Sequence, residues 1–172
     1  MSDRRLFFAL WPEKEALTSL TEMQQKFLGC GRLVAPQNLH LTLSFLGAVP
    51  PSRFEQIFTL GDRFQGASFD LSLGQFGYWK KPQVLWLGVE HTPQPLSDLV
   101  AWLERELAGV GFAKESRPYR PHLTLLRKVS KRPHFPEFSP ISWSVHEFRL
   151  MHSTLSSQGA HYQTLRSWGL KG

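Results

Sequence analysis

A tetrapeptide that occurs twice constrains this chain more than any other feature of its sequence. His-Leu-Thr-Leu begins at His40 and again at His122. In a chain of this composition, a given histidine is followed by Leu-Thr-Leu by chance only about once in a thousand. Side chains alternate across a strand, so His40 shares a face with Thr42, and His122 shares a face with Thr124. Each copy therefore predicts a strand with a polar pair on one face and two leucines on the other.

The repeated pair suits acid–base chemistry on a cyclic phosphodiester. A neutral imidazole can take a proton from water, and a protonated imidazole can give one to the departing ribose oxygen, because the pKa of histidine is about 6.5. Threonine hydroxyls can donate hydrogen bonds to the phosphate oxygens. The pattern predicts His40 and His122 as the catalytic pair, with Thr42 and Thr124 binding substrate, and leaves open which histidine is the acid.

Two other interpretations of the repeat remain. In the first, the two strands simply resemble each other and hold half-buried histidines for structural reasons, although burying two imidazoles without a function costs desolvation twice. A metal site is the chemical alternative. Neither copy has another His, Asp, Glu or Cys within four residues, and the only cysteine is Cys30, so a zinc site built on cysteines is excluded. We expect no metal and no other cofactor.

Charge and composition indicate the kind of partner and compartment. Twenty Lys and Arg against 14 Asp and Glu give a net charge of +6 and a pI of about 9.8, which favours RNA or another phosphorylated ligand. The basic residues are spread along the chain, so a merely basic domain is the alternative. The lone cysteine indicates a reducing compartment, and no segment is typical of a signal peptide or a membrane span. We expect a cytoplasmic monomer that does not associate with membranes.

Apolar periodicity predicts an α+β chain folded as a single domain over residues 1–172. Helices are predicted from three- and four-residue apolar spacing near residues 12–28, with Pro12 as the first helical residue and Gly29 closing the helix, and near 54–64 and 96–110. Strands are predicted near residues 6–10, 39–46, 69–73, 84–89, 122–126, 143–151 and 161–168, with a proline-containing surface loop at 128–140.

Four stretches give the chain a resemblance to a known family: residues 5–9, 38–47, 120–127 and 156–170. In combination they resemble the two-histidine phosphoesterases, specifically the bacterial and archaeal RNA 2′,3′-cyclic phosphodiesterases once described as 2′-5′ RNA ligases. The resemblance implies a bilobed domain of two pseudo-twofold-related antiparallel sheet lobes, with outer helices and a central cleft. It also implies metal-independent formation of a 2′-phosphate, with His40 as the acid and His122 as the base.

Three further residues are weaker substrate-binding candidates. Arg127 resembles the family's phosphate contact, yet strict alternation from His122 points it away from the motif face unless the strand ends or bulges before it. The alternative interpretation is that Arg127 is a solvated side chain at the end of the strand and does not bind phosphate. Phe8 and Tyr162 could stack a base or close over the ligand, or they could pack in the interior.

The sequence leaves several functions and substrates open. The alternatives to hydrolysis are 2′-5′ RNA ligation, which is the reverse chemistry, and a non-catalytic RNA-binding module that keeps the cleft. The substrate could be tRNA halves, other RNA ends, small cyclic nucleotides or an ADP-ribose phosphate. Tyr78, Trp79 and Trp86 could stack a base, but aromatic residues at such positions more often belong to the core.

Overall fold

The computed structural model of the protein describes residues 2–172. Within that range the strands are β1 (Arg4–Leu10), β2 (Arg32–Leu33), β3 (Leu41–Val49), β4 (Phe69–Trp79), β5 (Val84–Val89), β6 (His122–Arg127), β7 (Ile141–Val145), β8 (Glu147–Ser156) and β9 (Gly159–Gly169). The α-helices of the same range are α1 (Lys14–Gln25), α2 (Phe54–Asp62) and α3 (Gln94–Gly109). None of these helices is long and apolar enough to cross a membrane.

The strands form one antiparallel sheet, and each half of the sheet contains the same succession of a strand, a helix and a motif strand. Their order is β7-β4-β5-β6-β3-β1-β8-β9, and β2 lies beside the end of β6. The two motif strands, β3 and β6, are central and pair through Leu41 and Leu123. Each follows a strand and a helix, as β1–α1–β3 in one half and β5–α3–β6 in the other. The predicted α+β fold with two related sheet lobes is confirmed.

The motif leucines anchor the two central strands in the core. Leu41, Leu43, Leu123 and Leu125 are between 0% and 3% exposed and belong to one cluster that also contains apolar residues of all three helices. The threonines between them are only partly buried. The core therefore lies between the helices and one face of the sheet, and the histidines and threonines occupy the opposite face, as alternation requires.

Element ends differ modestly from the sequence-based expectations. Helix α1 ends at Gln25, three residues earlier than predicted, and the following turns lead to Gly29, whose φ of +87° is the left-handed conformation expected there. Strand β4 extends to Trp79 because its first half pairs with β7 and its second half with β5. The two-residue strand β2 was not predicted, because so short a segment has no periodicity.

Candidate active site

The backbone immediately before β3 fixes the orientation of His40. Its Nδ1 lies 2.6 Å from the carbonyl oxygen of Asn38. A carbonyl can only accept, so Nδ1 carries the proton and Nε2 is left available for proton transfer. The Asn38 side chain donates to the carbonyl of Ala160, at 2.9 Å, and thereby ties this turn to β9.

His122 has the same local arrangement at the start of β6. Its Nδ1 lies 2.9 Å from the carbonyl oxygen of Arg120, again two residues earlier in the chain. The two imidazoles therefore share one tautomer, and each leaves Nε2 available. Leu41 pairs with Leu123 in antiparallel register. One residue to either side of this pair, His40 lies alongside Thr124, and Thr42 lies alongside His122. The two motifs thus form a single polar group at the junction of the lobes.

Aromatic rings enclose both histidines. Trp11 stacks on His40 with ring centroids 4.7 Å apart and planes 8° from parallel, and the rings of Tyr162 and Phe7 lie 5.1 and 5.3 Å away. On the other side Trp79 contacts His122 edge-on at 4.7 Å. These rings displace water from the imidazoles, which disfavours their charged forms.

The large indole of Trp86 fits beside His122 because the neighbouring strand carries a glycine. The two rings are 6.0 Å apart. A Cβ on Gly77 would lie 1.9 Å from Cζ2 of Trp86, so no other residue type leaves room for the ring there. Trp86 is 5% exposed and pairs with Thr124, which places it on the histidine face of the sheet and outside the main core cluster.

Burial lowers the pKa of both histidines. For His40 desolvation lowers the pKa to about 4, the hydrogen bond to Asn38 opposes the change, and the charges of Arg127 and His122 add to it. For His122 desolvation again has the largest effect, with smaller lowering by Arg120 and Arg127. Both imidazoles are therefore neutral near pH 7 without ligand, and a bound phosphate would offset the arginine charges and raise both pKa values.

A β-bulge places Arg127 on the histidine face. Leu85 pairs with Leu126 but Trp86 pairs with Thr124, so Leu125 is the extra residue in β6. Leu125 and Leu126 are both 0% exposed, and the alternation restarts after them. The side chain of Arg127 consequently returns to the face that carries His122, and its charge acts on both histidines.

Comparisons with known proteins agree with this geometry. Residues 9–156 match the model of the 2′-5′ RNA ligase superfamily. The chain belongs to this superfamily. It is 34% identical over 171 residues to the RNA 2′,3′-cyclic phosphodiesterase of Escherichia coli (strain K12), covering 97% of each protein. The protein of the same name from Thermotoga maritima is also 34% identical, with 98% of this chain and 96% of the relative covered.

Solved structures of superfamily members share the whole fold. The apo form of E. coli LigT superposes with a TM-score of 0.91 at 33% identity and covers 100% of both chains. E. coli LigT complexed with 3′-AMP gives a TM-score of 0.92 at 34% identity, covering 99% of each chain. The two-lobed sheet with central motif strands is therefore the superfamily fold.

Among the sequence-predicted residues, Phe8 has to be corrected. It is 0% exposed and packs against Phe148 and Trp168 on the core face, so it cannot contact substrate. The neighbouring Phe7 faces His40 instead. Because β1 is buried on both faces, its sequence has no alternation of polar and apolar residues that would distinguish the two phenylalanines. Tyr162, by contrast, lies beside His40, with ring centroids 5.1 Å apart.

Two aromatic residues at the site were missed in the sequence. Trp11 follows β1 directly, and its ring is the one stacked on His40. Phe45 lies on β3 opposite Phe7, with ring centroids 6.0 Å apart, and is 71% exposed. A second bulge, at Leu43, turns Phe45 to the histidine face. Neither placement had a signal in the local sequence pattern.

The described part of the chain, residues 2–172, contains no group of three or more His, Cys, Asp or Glu side chains arranged to hold a metal ion. The positive charge that acts on both histidines is instead the guanidinium of Arg127. The arrangement can therefore supply two proton-transfer groups, two hydroxyl donors and one fixed positive charge.

The ionisation of His40 gives a direct test of the site. In the ligand-free protein its imidazole is expected to titrate near pH 4 because of burial, and inorganic phosphate should raise this pKa by adding negative charge nearby. NMR titration of the Cε1–Hε1 signals, assigned with the His40→Ala variant, measures both values. An unliganded His40 that titrates at 6.5 or above would contradict the enclosed site.

Proposed function

We propose that this protein hydrolyses RNA 2′,3′-cyclic phosphate ends to 2′-phosphomonoesters without a metal ion. The observation that carries the proposal is the shared geometry of His40 and His122: two imidazoles of one tautomer at the centre of the sheet, both influenced by Arg127. The relatives named RNA 2′,3′-cyclic phosphodiesterase support the choice of substrate.

In the proposed reaction the two histidines have complementary roles. Nε2 of neutral His122 takes a proton from water, and the resulting hydroxide attacks the cyclic phosphorus. The bond between phosphorus and the ribose O3′ breaks, and Nε2–H of protonated His40 donates its proton to O3′. The product carries a 2′-phosphate and a free 3′-hydroxyl. His122 ends protonated and His40 neutral, and exchange with water restores the starting forms.

The remaining polar groups would stabilise charge on the phosphate. The hydroxyls of Thr42 and Thr124 donate to the non-bridging oxygens, and the guanidinium of Arg127 balances the charge that accumulates in the transition state. The phosphate in turn raises the pKa of His40, so the acid becomes protonated in the complex although it is neutral in the free protein. Substrate binding thereby prepares the proton donor.

The aromatic residues beside His40 are the proposed contact for the nucleoside. Tyr162 and the exposed Phe45 present ring surfaces on the same face as the reacting groups. Stacking on aromatic rings holds a base without selecting its identity. We therefore expect broad tolerance of the terminal base.

The lone Cys30 agrees with a reducing compartment, and we propose that the enzyme acts in the cytoplasm.

Incubation with an oligonucleotide that ends in a 2′,3′-cyclic phosphate tests the proposal, with EDTA present throughout. The expected product is a 2′-phosphate, whose position is identified by ³¹P–¹H NMR. The His40→Ala/His122→Ala double variant is the control for contaminating hydrolases. A 3′-phosphate product, or activity that needs added divalent metal, would contradict the mechanism. Adding an RNA with a 5′-hydroxyl measures ligation, and faster joining than hydrolysis would favour the ligase alternative.

A further inference from the structure

We propose that Arg32 forms, beside Arg127, a binding site for a backbone phosphodiester of the RNA strand, separate from the reacting cyclic phosphate. This inference rests on the proposed function and identifies its substrate class as RNA ends rather than small cyclic nucleotides. It follows from the pairing of β2 with β6, from the absence of acidic partners among the residues that the structure describes, and from the hydrogen bond that holds Arg32.

The short strand β2 brings the two arginines side by side. Arg32 is the direct pairing partner of Arg127, and Leu33 is the partner of Leu126. Directly opposed residues of an antiparallel pair share a face of the sheet. Leu33 and Leu126 both pack into the core, so Arg32 and Arg127 share the opposite face, which is the face of the histidines.

Such a pair of like charges is unfavourable without an anion. Opposed like charges destabilise a sheet, and within residues 2–172 neither arginine has an Asp or Glu within ion-pair distance. Both side chains are exposed at the end of β6. A phosphodiester is the group that fits, because planar guanidinium groups donate paired hydrogen bonds to phosphate oxygens.

The β8–β9 hairpin fixes Arg32 in position. Its guanidinium donates to the carbonyl of Gln158, at 3.2 Å. Gly159 has a φ of +107°, and a Cβ there would lie 3.0 Å from Nη2 of Arg32, so glycine allows this close approach. One hydrogen bond leaves most of the five N–H donors of the guanidinium free. The same hairpin leads to Tyr162, which connects this arginine to the active site.

The two arginines differ in their distance from the chemistry. The charge of Arg127 acts on both histidines, which assigns it to the reacting phosphate. Arg32 lies one strand away from it, on β2. A cyclic mononucleotide has only the reacting phosphate and cannot reach both positions through phosphate groups. An RNA strand has a further phosphodiester next to its terminal nucleotide, and that group is the expected ligand of Arg32.

Comparison of two substrates tests this assignment with the Arg32→Ala and Arg32→Gln variants. For an oligonucleotide with a 2′,3′-cyclic end, KM should rise by about tenfold through loss of a charge-assisted hydrogen bond. For a 2′,3′-cyclic mononucleotide, kcat and KM should stay unchanged. The salt dependence of oligonucleotide binding, plotted as log K against log salt, should become shallower by about 0.7, as expected for one lost phosphate contact on single strands.

Arg105→Ala is the matched control, because it removes one exposed arginine from helix α3 and changes the net charge equally. Arg105→Ala should leave kcat and KM unchanged for both substrates. Equal effects of Arg32→Ala on both substrates, or no effect on either, would overturn the backbone site.

A binding measurement separates failure of this inference from failure of the proposed function. Fluorescence anisotropy with a single-stranded RNA oligonucleotide that lacks the cyclic end requires no catalysis. Arg32→Ala should weaken this binding by about tenfold, even if the wild-type protein hydrolysed neither substrate. Unchanged RNA affinity would overturn the site, whereas inactivity together with the predicted loss of binding would overturn only the hydrolase proposal.

Discussion

Replacing either His40 or His122 with alanine is expected to lower kcat by about 10²- to 10⁴-fold. Each substitution removes one of the two proton transfers that the proposed reaction requires, while the aromatic surroundings and the arginines remain. KM should change much less, because neither imidazole supplies the main charge for phosphate binding. Steady-state kinetics with a 2′,3′-cyclic-ended oligonucleotide gives both parameters.

The double variant adds a test of cooperation between the histidines. Because the two groups act in the same step, losing both should cost much less than the product of the single effects. His91→Ala is the matched control, since His91 is exposed in the loop after β5 and its loss should leave kcat unchanged. A His40→Ala or His122→Ala enzyme with full activity, or one rescued only by divalent metal, would refute the two-histidine mechanism.

Arg127→Ala is expected to lower kcat/KM by about 10- to 100-fold, corresponding to the loss of a hydrogen bond between a guanidinium and a phosphate. The same substitution should raise the pKa of both histidines in the free protein, because the Arg127 charge disfavours protonation of each. The pH dependence of kcat/KM should therefore move to higher pH. Kinetics across pH and NMR titration of the imidazoles measure the two effects independently.

The conservative variant separates charge from geometry. Arg127→Lys keeps the positive charge but loses paired hydrogen bonding, so the histidine pKa values should stay near those of the wild type while kcat/KM still falls. If Arg127→Ala changed neither pKa, the bulge in β6 would not direct this side chain toward the histidines, and its role in phosphate binding would have to be abandoned.

Local patterns in the sequence were enough to predict the centre of this protein. In the repeated tetrapeptide, leucines alternate with a histidine and a threonine. This alternation predicted two strands, with the leucines on the core face and the histidines on the opposite face. The strand–helix–strand units around it followed from apolar spacing in α1 and α3. These features depend on neighbours a few residues apart, and such neighbours are visible in the sequence.

The other residues around the histidines are brought there by pairing between strands that are distant in the sequence. Arg127 returns to the histidine face because β6 bulges at Leu125 against β5, and the bulge exists only in the pairing of the two strands. Phe7 rather than Phe8 faces His40 because the pairing of β1 with β3 and β8 fixes which face each residue occupies. The sequence of β1 is apolar on both faces and does not show this. The juxtaposition of Arg32 with Arg127 likewise needs β2 to pair with a strand roughly ninety residues away.

The pKa values of the two histidines likewise could not be predicted from the sequence. An imidazole has a pKa of about 6.5 in water, and burial is the main reason why the pKa of His40 is lowered to about 4. Trp11 and Tyr162, which enclose that ring, come from opposite ends of the chain. The sequence determined which groups are present and which face of its strand each motif histidine occupies. The packing of distant segments decided what surrounds those groups, because desolvation and charge depend on neighbours in space.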